Sequence, residues 1–255
     1  GAAVTVAADA TAPGYTFSGW SREDGFTMPA ENVTITGSFT ANGDTAYTVE
    51  HYQQNLAGDG YNLVEADTEH LTGETDTTAT ANPKTYTGFT LDRTVEGTVA
   101  SGNIAGDGSL VLKLYYTRNS YDVTYAYTGT VPADASALPE KAAVKYGASV
   151  TVAEAATAKG HTFSGWSSED VRQSFIQRLL SSSIAGKTFR MPAKDVVIEG
   201  HFDINSYKVT YKVDGEPYGE TESHEYGELV QLKSEPTKEG YTFSHWNQNA
   251  EFWDC

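Results

Sequence analysis

The sequence predicts a mainly β (α+β) chain: a tandem array of small modules forming an elongated rod, with one helical insertion. Three observations predict it. The 255 residues include 16 Tyr, 10 Phe and 24 Gly, with abundant Thr and Val, and β-branched and aromatic side chains suit a pleated, half-buried surface. One pattern recurs three times without gaps, which marks a repeat architecture. A single stretch breaks the strand pattern with helical spacing.

The step from Gly1 to Trp20, from Gly147 to Trp166 and from Gly227 to Trp246 is 19 residues each time. Each copy closes on one motif: GYTFSGW at 14–20, GHTFSGW at 160–166 and GYTFSHW at 240–246. The first two continue through FTMPAENVTITGSF (26–39) and FRMPAKDVVIEGHF (189–202). The last two are preceded by YDVTYAYTG (121–129) and YKVTYKVDG (207–215). Apolar residues alternate in the opening and closing stretches, as half-buried strands require. Asp214-Gly215 suits a hairpin turn.

Four segments follow. Residues 1–45 form a repeat without its first strand. Residues 46–119 form a different β unit, opening on YTVEHYQQN (47–55) and closing on LVLKLYYTRN (110–119); its Gly88-Phe89-Thr90 echoes the repeat motif. Residues 120–205 form a repeat with an insertion, and residues 206–255 a repeat without its last strand. Short joints near 41–45, 117–120 and 203–206 predict a semi-rigid rod. Truncated sheets leave edges unpaired. A monomer with trimmed or frayed ends is the plainer expectation, and head-to-tail strand complementation between chains is the alternative.

The paired aromatics Phe17 and Trp20, Phe163 and Trp166, Phe243 and Trp246 are the expected centre of each repeat, since a small module needs their large buried area. The competing reading is a carbohydrate-stacking surface.

The insertion is measured against the first repeat. Trp20 to Met28 spans 8 residues, whereas Trp166 to Met191 spans 25. Within 170–188, Val171, Phe175, Ile176, Leu179, Leu180 and Ile184 form one stripe at helical spacing, with Ser168 or Asp170 as cap and Gly186 as stop. Arg172, Arg178 and Lys187 make it the basic patch of an acidic chain. Two readings compete: the helix packs on its own sheet, or residues 171–185 recognise a partner protein in a groove, as a natural or grafted ligand. The candidate contact residues are Arg172, Phe175, Ile176, Arg178, Leu179 and Leu180.

The pattern from Y-x-V-T-Y through Y-G-x-x-V and GYTFSGW to M-P-A resembles the Listeria–Bacteroides, or internalin B-repeat, family, and residues 46–119 resemble a MucBP-type module. The resemblance implies β-grasp-like modules in arrays on Gram-positive surface proteins. It implies an extracellular, cell-wall-attached adhesin or stalk that contacts a host-surface protein or glycan, with mucin or carbohydrate binding through exposed aromatics as an alternative. It carries over no binding residues.

Net charge is −17, so nucleic acids and anionic membranes are poor partners. No apolar run is long enough to span a membrane, and no signal peptide opens the chain. No enzyme, metal or cofactor is expected. No phosphate-binding loop or H-E-x-x-H is present, the six His are scattered, and Cys255 is terminal. The acidic stretch Asp59, Glu65, Asp67 and Glu69 lacks the spacing of a calcium loop. A lysine–amide crosslink from Lys113, Lys208 or Lys212 lacks a convincing acid partner.

Overall fold

Strands this short cannot bury a face alone, so the chain makes many small sheets. The computed structural model describes residues 1–22, 24–171 and 183–247. Two compact units emerge: residues 1–123, 142–150 and 189–196 in one, and 124–141, 151–188 and 197–255 in the other.

The first unit holds a five-stranded sheet. The strand Thr45–Gln54 pairs in parallel with Val111–Arg118 and antiparallel with Tyr61–Leu63 and Glu69–Gly73. Phe89–Leu91 completes the sheet beside Val111–Arg118. Parallel neighbours need a long crossover, which is usually a helix. Here a two-stranded ladder, Thr78–Thr80 with Ser101–Asn103, lies within the crossover. Its Ala79, with Ala81 and Ile104, closes over Val49, Leu112, Leu114 and Tyr116 to form the main core.

In the same unit, Tyr15–Phe17 pairs antiparallel with Phe39–Ala41. Phe17 packs edge-on against Trp20 at 5.1 Å and against Phe39 at 5.0 Å. The Trp20 indole N–H donates to the Ala8 carbonyl at 3.1 Å.

The second unit repeats that plan around Trp166, which is 1% exposed. His161–Phe163 pairs antiparallel with Phe202–Ile204. Phe163 meets Trp166 edge-on at 4.9 Å and Phe202 at 5.0 Å. Tyr127 stacks on the indole at 5.6 Å, Tyr125 meets its edge at 5.1 Å, and the indole N–H donates to the Glu154 carbonyl at 2.8 Å. In the last repeat, Trp246 meets Phe243 at 4.9 Å and Tyr211 at 5.0 Å and donates to the Lys233 carbonyl at 3.0 Å. Around the buried Trp166, the buried Phe202 and the half-buried Phe163, Tyr125 and Tyr127 pack together, as expected of a packing role. Trp20 and Trp246 are half-buried.

The glycine of the closing V-x-I-x-G-x-F stretch has a steric reason. A Cβ on Gly37 would lie 2.3 Å from the Phe17 ring, and one on Gly200 would lie 2.4 Å from the Phe163 ring. In both, the outer edge of the phenylalanine ring occupies the space a side chain there would need.

The expectation of an α+β fold with a helical insertion is overturned. The described residues are all-β, in many small sheets, with no α-helix among them. One 3-10 turn, Glu65–Asp67, is the sole helical element among them. The described ends of the expected helix, 170–171 and 183–187, are turn and coil, and Thr188 opens a strand. Their backbone donors are committed elsewhere: Ile184 N–H to the Trp166 carbonyl at 2.9 Å, and Gly186 N–H to the Val152 carbonyl at 3.0 Å. A helix would need those groups for its own ladder. Val171 is buried, and residues 172–182 lie outside the described residues. A β-grasp packs a helix on its sheet. In the five-stranded sheet that place is taken by the Thr78–Thr80 and Ser101–Asn103 ladder.

Replacing Gly200 by Ala forces Phe163 off its seat, and overpacking of this kind costs about 1–3 kcal/mol. The loss is expected in urea titrations that follow the Trp166 indole N–H resonance. An unchanged midpoint would show that the ring can move freely.

Candidate interaction face

The five-stranded sheet packs its main core on one face, and among the described residues its other face is half-buried. Along Thr45–Gln54, Val49 and His51 point into the core; along Val111–Arg118, Leu112, Leu114 and Tyr116 do the same. Alternation sends Glu50, Tyr52 and Gln54, with Lys113, Tyr115 and Thr117, to the other face. Parallel register sets Glu50 beside Lys113 and Tyr52 beside Tyr115, and Tyr61 sits opposite Gln54.

Three tyrosines meet there. Tyr52 and Tyr115 stack at 4.9 Å and 18°, and Tyr61 stands edge-on to Tyr115 at 5.1 Å. All three are partly exposed. Polar groups fix the rings. The Tyr52 hydroxyl donates to Glu50 Oε2 at 2.6 Å. This bond, with some desolvation and the Glu50 charge, pushes the phenol up to about 12. Lys113 Nζ lies 5.9 Å from the Tyr52 ring centre. Thr117 Oγ1 donates to Asp92 Oδ2 at 3.1 Å, and two bonds from Thr94 hold the Asp92 carboxyl below its ordinary value. The result is a partly exposed aromatic platform rimmed by Glu50, Gln54, Asp92 and Thr117.

Beneath the platform the core face carries a polar network. His51, with no exposure, places Nδ1 3.0 Å from the Tyr116 hydroxyl and Nε2 3.4 Å from Glu69. The Tyr116 hydroxyl accepts the Lys84 backbone N–H at 2.9 Å. Lys84 Nζ reaches Glu69 at 3.1 Å and Asp67 at 3.3 Å, while the Tyr86 hydroxyl donates to Asp67 at 2.8 Å. The Tyr86 bond, with Lys84, lowers the Asp67 carboxyl; Lys84, with His51, lowers Glu69. Desolvation works against the Lys84 ammonium, but its bonds to Glu69 and Asp67 outweigh it and raise its pKa. Charged forms are favoured on both sides, so the cluster is an ion-pair network.

The sequence-predicted contact residues Arg172, Phe175, Ile176, Arg178, Leu179 and Leu180 all lie outside the described residues. Of the lysines considered for crosslinks, Lys113 faces Glu50 at 3.9 Å, whereas Lys208 and Lys212 sit in two-stranded ladders. Sequence reasoning missed Tyr52, Tyr61 and Tyr115 as a group. The available signal was their parity: Tyr52 and Tyr115 fall on the positions that alternate with the core residues. Among the described residues, no group of three or more His, Cys, Asp or Glu side chains could hold a metal ion, and no helix is long and apolar enough to cross a membrane.

A chain of copied β units closed by the same aromatic motif belongs to the class of tandem β repeats. A family model described as the divergent InlB B-repeat domain matches residues 1–43 and 122–206, half of the chain. A second, described as the Listeria-Bacteroides repeat domain, matches residues 207–254. The chain belongs to the InlB B-repeat family. It is 32% identical over 126 residues to Internalin H of Listeria monocytogenes, covering 49% of this chain and 20% of that protein. It is 26% identical over 264 residues to a protein of Evansella cellulosilytica named "Putative Gly-rich membrane protein", covering 94% of this chain and 28% of that protein. The chain thus spans less than a third of either relative. Repeat domains of internalin type are typically structural or binding modules without catalysis. Neither family match includes residues 44–121, so the MucBP likeness of 46–119 rests on its sequence pattern alone.

The ion-pair network sets a pH dependence. Asp67 and Glu69 have folded pKa values below their unfolded ones, so their contribution is present above the ordinary carboxylate range, near 4, and is lost as pH falls through the folded values. Lys84, raised, contributes below its unfolded pKa and loses this as pH rises through the folded value. Amide protection in the five-stranded sheet is expected to drop in acid, and Lys84→Met to flatten that drop. Equal acid sensitivity in the variant would assign the effect elsewhere.

Proposed function

We propose that the chain is part of the extracellular repeat region of a bacterial cell-surface protein, serving as stalk and adhesive surface. The supporting observation is the serial reuse of one aromatic-cored β unit, in a chain whose relatives are an internalin and a protein named for the membrane. The net charge of −17 keeps such a segment soluble and disfavours anionic partners. A stalk also needs modules that hold themselves without disulfides, and the indole–carbonyl bonds and ring clusters supply that.

A second reading rests on the tyrosine platform. Partly exposed, stacked rings with a polar rim are the chemistry that takes a sugar face, so Tyr52, Tyr61 and Tyr115 favour carbohydrate binding by the 46–119 segment, in keeping with its MucBP likeness.

Displaying the chain from a non-adhesive bacterium separates the readings. Attachment to host cells above the anchor-only control is expected. Loss of attachment on Tyr52→Ala/Tyr115→Ala, with matching loss of signal on a glycan array, assigns adhesion to the platform. Attachment lost only when residues 172–182 are removed assigns it to the insertion. No attachment in any form, against epithelial or mucin-coated surfaces, would leave the segment as a spacer and refute the adhesive part.

A further inference from the structure

Three places along the chain repeat one arrangement of atoms. At each, an asparagine directly follows the last residue of a strand, and the next strand begins one residue later at Asn119 and Asn205 and three residues later at Asn42. Phe39–Ala41 is followed by Asn42, Val111–Arg118 by Asn119, and Phe202–Ile204 by Asn205. The asparagine N–H donates to the carbonyl of a turn glycine: Gly14, Gly88 or Gly160, at 2.9 Å in all three. Its side-chain Oδ1 accepts the hydroxyl of the threonine two residues after that glycine: Thr16 at 2.7 Å, Thr90 at 2.8 Å and Thr162 at 2.6 Å. Its carbonyl then accepts an N–H from the following segment: Thr75 at 2.9 Å, Tyr146 at 2.8 Å and Tyr226 at 2.8 Å.

Both turns that grip the asparagine are also repeated. The outgoing turns close with Tyr15, Phe89 and His161 donating to Ala12, Tyr86 and Ala158, and their glycines have φ of 76°, 78° and 68°. The incoming turns carry Asp76, Gly147 and Gly227 at φ of 67°, 75° and 80°. Left-handed backbone is open to glycine and tolerated by aspartate. The two turns also touch. A Cβ on Gly88 would lie 2.3 Å from the Tyr146 ring, and one on Gly160 would lie 2.0 Å from the Tyr226 ring. At the first joint, Tyr15 hydrogen-bonds Asp76 instead.

We infer that this Gly-aromatic-Thr turn, the asparagine and the incoming Tyr-Gly or Thr-Asp turn form a module-to-module recognition joint, in which the asparagine is the positioning residue. Its partner is another repeat of this chain's kind, and the joint sets the register in which one repeat follows another. The backbone bonds alone extend a ladder by one step and could be made by any residue. What selects asparagine is the short side-chain acceptor that reaches the threonine without leaving the strand. Aspartate keeps that acceptor; alanine does not. Asn119 Nδ2 also lies 3.5 Å from the Tyr121 hydroxyl, at the limit of a hydrogen bond.

The joint at Asn119 is tested in the full chain, independently of any adhesive role. Native-state hydrogen exchange reads the amides of Asn119 and Tyr146 against the core amides of Leu112 and Leu114. Asn119→Ala is expected to speed the two joint amides at least about tenfold and leave the core amides unchanged; Asn119→Asp is expected to match the parent. Thr90→Val should reproduce the alanine effect, and the double variant should add nothing to it. In a Cys255→Ser background, spin labels at Arg93→Cys and Ser149→Cys report the joint geometry: Asn119→Ala broadens the distance distribution and Asn119→Asp does not. Three outcomes overturn the inference: unchanged joint amides in Asn119→Ala, equal acceleration of the core, or an aspartate variant as loose as the alanine one.

Discussion

The chain depends on rings packed against backbone. Repeats of this size enclose too little aliphatic surface to be stable by core burial alone. Each therefore concentrates its apolar area in a tryptophan and one or more neighbouring rings, 4.9–5.1 Å from its phenylalanine. The indole N–H would be costly if buried unpaired, and in every copy it finds a main-chain carbonyl 12 or 13 residues upstream. That bond ties the strand after the Y-G turn to the GYTFSGW loop. Around Trp166, Tyr125 and Tyr127 from the opening strand and Phe202 from the closing strand complete the cluster. Around Trp246, Tyr211 and Tyr218 take part.

The segment between the repeats solves the same problem differently. Its core is aliphatic, with Val49, Leu112 and Leu114, and the buried His51 is held between Tyr116 and Glu69. Fully bonded polar groups inside a small core narrow the ways it can pack. They also leave the opposite sheet face free to carry stacked tyrosines, because the strand parity that buries His51 and Tyr116 exposes Tyr52 and Tyr115.

Much of this was legible in the sequence. The fixed step from glycine to tryptophan identified the repeats, and the V-x-I-x-G-x-F stretch placed a closing strand in the second of them, Val196–Gly200, whereas in the first residues 33–38 are coil and the strand is Phe39–Ala41. The helix was not legible correctly. A stripe of Val171, Phe175 and Leu179 at helical spacing is what an isolated segment offers, but the described ends of that insertion give their backbone bonds to Trp166 and Val152, a tertiary demand that local periodicity cannot register. The tyrosine platform was hidden because Tyr115, far along the sequence, reaches Tyr52 and Tyr61 only through a parallel pairing. The asparagines at 42, 119 and 205 were in plain view directly after each closing strand. Their meaning needed the third dimension, since the threonine each one engages lies 26, 29 or 43 residues earlier.

A boundary marked by the same asparagine has a consequence for how such chains change over generations. Excising everything from Asn42 to Arg118 would join Ala41 directly to Asn119, and an asparagine would again follow a closing strand and precede an opening one. No spacer has to be invented and no ladder is left ragged. Repeat number can therefore rise or fall by in-frame recombination while every surviving seam keeps the same chemistry.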